Sequence, residues 1–115
     1  MEIRGHQYPA VQGVATITNT TSGQTVIAGV TGKTLYLNYI MISISEAYSA
    51  TAQLTDGDGG TIFWKIERGA EGAQPTGYIL NYGDYGSALT EGNGLFGTTS
   101  STGLVYVITA LGYYK

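Results

Sequence analysis

Chemistry needs nucleophiles, bases or ligands at workable spacing, and this chain offers few: one histidine, no cysteine and eight carboxylates in 115 residues. His6 would have to serve a Ser-His-Asp relay or a metal site alone, so it reads as a solvated or interface residue. Asp56-x-Asp58-x-Gly60 resembles the start of a calcium loop, but Glu67 falls in an expected strand, and hairpin-turn chemistry accounts for the run without a metal. Glu46 and Glu67 are the only acids at or near the ends of long expected strands. A glycosidase pair must converge across a groove, and so short a chain would struggle to build the walls. Gly69, Gly72, Gly77, Gly83 and Gly86 are not in a strand-GxGxxG-helix context, so no phosphate cradle is implied. The sequon Asn19-Thr20-Thr21 matters only in a glycosylating host. No catalytic residue, metal or cofactor is expected.

Aromatics are the more suggestive group. Tyr78, Tyr82 and Tyr85 surround a Gly-rich loop, Tyr113 and Tyr114 lie near residue 115, and Tyr36 and Tyr39 flank Asn38. Tyrosine supplies large, rigid contact area, which interfaces use, as do sugar-binding platforms. Ordinary sheet packing also uses it.

Charge is the next constraint. Only 11% of residues are charged, against roughly 25% in soluble domains. Yet 43% are hydrophobic and the mean hydropathy is +0.03, with no apolar run long enough for a membrane helix. Disorder and membrane insertion are both disfavoured. Polarity comes instead from 16 Thr, 7 Ser, 18 Gly and 10 Tyr. The net charge is −3, and Arg4, Lys33, Lys65, Arg68 and Lys115 are scattered, so neither nucleic acid nor anionic membrane is an expected partner. The first residues lack the layout of a signal peptide. The length fits one domain exposing about 6,000 Å².

The elements that must position these residues read as strands. Runs rich in Val, Ile, Thr and Tyr recur between Gly, Asp, Asn and Ser clusters, which predicts an all-β antiparallel sandwich of about eight strands. They are expected over 13–19, 24–30, 34–46, 49–55, 60–67, 77–82, 94–98 and 103–114, following an extended arm at 1–12, with the domain at 13–115. Two hairpins are predicted. One turns at Asp56-Gly57-Asp58-Gly59-Gly60, with Ile62, Trp64 and Ile66 sharing a face; the other turns at Ser22-Gly23 and joins 14–18 to 25–28. Residues 68–77 and 83–94 read as loops.

Two strands look apolar on both faces: Leu35–Ser45 in its first half, and Leu104–Leu111 throughout. Such a strand is normally covered on both sides, and the simplest cover is another subunit. A bulge near Asn38 that swaps faces, or a curling sandwich edge, would give the same pattern.

The run Gly32-Lys33-Thr34-Leu35-Tyr36-Leu37-Asn38-Tyr39, an Ala/Thr strand with its Gly-rich hairpin, Leu89-Thr90-Glu91-Gly92-Asn93-Gly94-Leu95 and a final Val/Ile/Tyr strand together resemble small structural proteins of tailed bacteriophages. Some of these are jelly-roll sandwiches that trimerise on the capsid as decoration or cement proteins. The resemblance covers roughly residues 25–111 as an order of strands, and it implies a jelly roll, a homotrimer, a capsid-protein partner and a place on the virion surface after synthesis in the host cytoplasm. The residues read as interface are Tyr8, Tyr36, Leu37, Tyr39, Tyr82 and Tyr85, with Val105, Val107, Tyr113 and Tyr114. A different class, a carbohydrate- or receptor-binding module stacking its ligand on the loop tyrosines and Trp64, is the second expectation.

Overall fold

The computed structural model of the protein describes residues 8–18, 22–44, 50–68, 76–100 and 106–115. These hold nine strands: β1 (Val11–Ile17), β2 (Gln24–Ile27), β3 (Leu35–Ile44), β4 (Ala50–Asp56), β5 (Thr61–Arg68), β6 (Thr76–Asn81), β7 (Ser87–Ala88), β8 (Leu95–Thr99) and β9 (Tyr106–Tyr114). They pair antiparallel into two sheets, ordered β1-β9-β3-β6, with β7 also on β3, and β2-β8-β4-β5. The chain changes sheet at every connection except β4–β5 and the short step from β6 to β7. That is a jelly-roll sandwich. The exposed surface, 6163 Å², matches the expectation for the mass.

The β4–β5 hairpin forms where expected. Gly57 and Gly59 take φ of 83° and 69°, a backbone that side chains resist, and the Gly60 amide donates to the Gly57 carbonyl at 3.1 Å. One detail differs from the simple alternation. Leu54 pairs with Trp64 but Thr55 with Ile62, so a bulge turns Ile62 outward and lets Phe63 pack against the core instead.

The early hairpin is overturned. β1 pairs with β9 and β2 with β8, so the two runs lie in opposite sheets. The Gln24 side chain replaces the missing ladder: its Nε2 donates to the Thr16 carbonyl at 2.5 Å and its Oε1 accepts from the Thr18 amide at 3.1 Å. Gly13 allows the close approach, since a Cβ there would lie 2.1 Å from the Val26 carbonyl oxygen. Val11 and Gln12, expected within the 1–12 arm, belong to β1; residues 1–7 lie outside those described.

β3 carries the bulge. Against β9 its register slips between Leu37 and Tyr39, so Leu35 and Leu37 before the slip and Ile40, Ile42 and Ile44 after it all face inward. The double-faced look of Leu35–Tyr39 is therefore a change of parity at Asn38, with no second subunit needed to account for it. With Ile17, Leu54, Leu95, Tyr106 and Ile108, these residues form a fully buried core between the sheets.

Candidate functional site

Cross-strand partners in a sheet share a face, so the registers fix what each sheet presents outward. Across β1, β9, β3 and β6 the outer rows read Gln12, Leu111, Tyr39, Asn81; then Val14, Thr109, Met41, Ile79; then Thr16, Val107, Ser43, Gly77. Val14 is 62% exposed, Ile79 61% and Met41 46%, with Val107 and Leu111 also open to solvent. No charged residue stands among these positions. Four strands at the usual spacing and three outward rows make a face of about 400 Å², in which Val14, Met41, Ile79, Val107 and Leu111 stand among neutral polar Gln12, Thr16, Ser43, Asn81 and Thr109. The sheet's edges, β1 and β6, carry no charge either, whereas the edge strand β5 of the other sheet carries Lys65. Charge on an edge is a common guard against pairing with another chain.

One end of this face is aromatic. Tyr113 is sandwiched between Tyr36 (ring centroids 5.0 Å, planes 8° apart) and Tyr8 (5.7 Å, 15°). Its hydroxyl donates to the Tyr85 carbonyl at 2.6 Å, and burial, with the neighbouring phenols of Tyr36, Tyr8 and Tyr85, pushes its pKa up.

The ten expected interface residues thus separate. Tyr8, Tyr36, Tyr39, Val107 and Tyr113 lie on or beside the outer face, although Tyr113 is covered by its own stack. Leu37 is a core residue, and Tyr114 turns to the inner side, its hydroxyl donating to the Ala28 carbonyl. Tyr82 packs half-buried against the core, which pushes its phenol up, while Tyr85 stands exposed at a turn. Val105 lies outside the described residues. Sequence reading missed Val14, Met41, Ile79 and Leu111 as a group; only the register between distant strands brings them together.

The polar groups named from the sequence act as fasteners. The Asp56 carboxylate accepts from the Thr90 amide (2.9 Å), the Thr90 hydroxyl (2.8 Å) and Asn93 Nδ2 (3.0 Å), pinning the turn that precedes β8. Asp58 Oδ1 accepts from the Gly23 amide at 2.7 Å. Asn38 Nδ2, at the bulge, donates to the carbonyls of Gly83 and Asp84, while its Oδ1 is buried without a partner. Among the described residues no group of His, Cys, Asp or Glu could hold a metal ion; His6 and Glu46 lie outside them, as does the Asn19-Thr20-Thr21 sequon. Trp64 meets Tyr78 edge-on at 5.7 Å, joining the β5 and β6 edges and packing on the core rather than offering an open platform.

The other sheet's outer face is different in kind. It holds a groove of about 490 Å³ floored by Thr51, Gln53 and Thr98 and rimmed by Asp58, Gly59, Gly60 and Ile62. Beneath it Tyr106 reaches across the core from β9, its hydroxyl placed on the Gln53 carbonyl (2.9 Å) and the Thr98 carbonyl. A Cβ at Gly97 would lie 3.2 Å from that hydroxyl, so the glycine makes room for it.

The chain matches no family model and no curated protein. What fold and faces define is a class: an all-β jelly-roll sandwich with one apolar and one hydroxyl-rich outer face.

Proposed function

We propose that the protein is a non-enzymatic structural subunit that self-associates through the outer face of the β1-β9-β3-β6 sheet. One observation carries this reading: Val14, Met41, Ile79, Val107 and Leu111 form one exposed surface with no charge among its described residues. A face without charge cannot select a partner by charge, and it costs no repulsion against its own copy. A second copy is therefore the occupant that fits. Two such faces together cover about 800 Å², below the roughly 1,200 Å² at which standard interfaces begin, so the contact extends onto Tyr36 and the uncharged β6 edge.

The resemblance to phage decoration proteins supports a place on a virion shell, bound to the capsid protein, where the expected trimer would need a second contact besides this two-fold pairing of faces. Such a subunit works by adding buried area across shell joints, which must be broken before the shell opens. The test is the solution mass by light scattering over a range of concentrations. An oligomer is expected, and Met41→Lys with Ile79→Lys should release monomers of unchanged circular dichroism. A wild-type chain that stays monomeric at every concentration overturns the reading. Co-sedimentation with capsids checks the shell assignment separately.

A further inference from the structure

We propose that the groove on the outer face of the β2-β8-β4-β5 sheet is a binding site for a short neutral oligosaccharide. Its volume, about 490 Å³, lies within the roughly 300–1,000 Å³ usual for ligand sites. The lining decides the chemistry by elimination. Among the described residues no lysine or arginine lines it; Lys65, the cross-strand neighbour of Gln53, stands at its margin as a single cation already engaged in another contact, so the groove is not built for phosphates or other anions. Asp58 is its single carboxylate among the described residues, and one oxygen of that group already accepts from the Gly23 amide, which is too little for a cation. Among the described residues Ile62 is the only large apolar side chain in the lining, too little for a lipid or drug-like ligand.

What remains are neutral hydroxyls and amides. Thr51, Gln53 and Thr98 are half-buried, and their side chains make no hydrogen bond to other described residues. Gln53 brings two donors and an acceptor, each threonine one donor and an acceptor, and the second Asp58 oxygen another acceptor. A sugar ring presents the complement, alternating hydroxyl donors and acceptors on its rim and an apolar C–H face that the exposed Ile62 can cover.

The floor is also held rigid. Gln53 and Thr98 are cross-strand partners, and the Tyr106 hydroxyl lies against both of their carbonyls from the core side. A site fixed before the ligand arrives loses less entropy on binding. The groove and the apolar face lie on opposite sides of the sandwich, so self-association leaves the groove open and would multiply weak single-site affinity into avidity. The inference stands without that association.

The experiment titrates the full chain with maltotriose, cellotriose, mannotriose, galactotriose and chitotriose at millimolar concentration while amide chemical shifts are followed. At least one sugar should move the Thr51, Gln53, Thr98 and Ser100 amides. Gln53→Ala and the shape-conserving Thr98→Val should each weaken that sugar about tenfold or more, one charge-neutral hydrogen bond being worth about 1 kcal/mol or somewhat over when its partner is stranded. Both variants should keep the wild-type melting temperature and solution mass. Silence across all five sugars, shifts centred on Tyr82 and Tyr85, or binding that survives both substitutions each overturns the proposal.

Discussion

Replacing Tyr106 by phenylalanine removes one atom from the centre of the sandwich. The phenol is fully buried, its ring packs in the core, and its hydroxyl is the link from β9 to the carbonyls of Gln53 and Thr98. Loss of a hydrogen bond costs about 1 kcal/mol and a stranded buried carbonyl about 1 kcal/mol more, so Tyr106→Phe should cost about 2 kcal/mol at neutral pH. For a domain of this size that lowers the melting temperature by about 8 °C. Alkaline pH supplies a second reading. Burial pushes the Tyr106 pKa far above its usual value. The unfolded phenol ionises near pH 10 while the folded one keeps its proton, so the stabilisation is complete below about pH 10 and is lost as pH rises beyond it, by up to about 1.4 kcal/mol per unit. Phenylalanine escapes this loss, and the other raised tyrosines, Tyr82, Tyr113 and Tyr114, act equally in both proteins and cancel. The gap between wild type and variant should therefore shrink from about 2 kcal/mol near pH 8 to under about 1 kcal/mol near pH 11. Urea unfolding followed by circular dichroism at the two pH values measures it. A gap that does not change with pH, or no gap near pH 8, refutes the reasoning.

Asp56→Ala strips the turn at Thr90–Asn93 of its three acceptor contacts and, at a partly solvated site, should cost about 2 kcal/mol; hydrogen exchange should rise first at the Thr90 amide. Gly86 and Gly83 make a matched pair, with φ of 77° and 81°. Alanine at Gly83 meets open space and should cost about 1 kcal/mol from backbone strain alone, whereas at Gly86 its Cβ would lie 2.9 Å from the Leu37 carbonyl oxygen and the loss should be clearly larger in thermal melts.

Local signals in this sequence are readable and distant ones are not. The Asp56–Gly60 turn announces itself because its glycines must take positive φ, and the hairpin around it forms as read. Ser22-Gly23 looks like a similar turn, but in a jelly roll β1 and β2 belong to different sheets, and no short-range pattern says so. The bulges at Asn38 and before Ile62 each move one residue out of step, so alternation counted from either end gives the wrong face beyond them. Two-residue β7 carries too little pattern to be seen within the expected 83–94 loop. Tyr113 and Tyr36 do make contacts of the kind their type suggests, but with each other and with Tyr8. The apolar face and the groove are out of reach for a common reason: each is assembled from strands far apart in the chain, and only the register aligns Val14 with Thr109 and Met41, or Gln53 with Thr98.

That same arrangement sets a timetable. β9 is the last of the nine strands to be synthesised, yet it lies inside its sheet with β1 on one side and β3 on the other. Until it emerges, β1 has no ladder partner, and the inner isoleucines of β3 lack half of their cover. β4 with β5, and then β3 with β6, can pair before it. Such reliance on long-range pairing makes folding slow, and partly built sheets are vulnerable to aggregation. It also puts folding before the proposed association: a nascent chain cannot display the full row of Val14, Thr109, Met41 and Ile79, and so could join a second copy only after its own interior is closed.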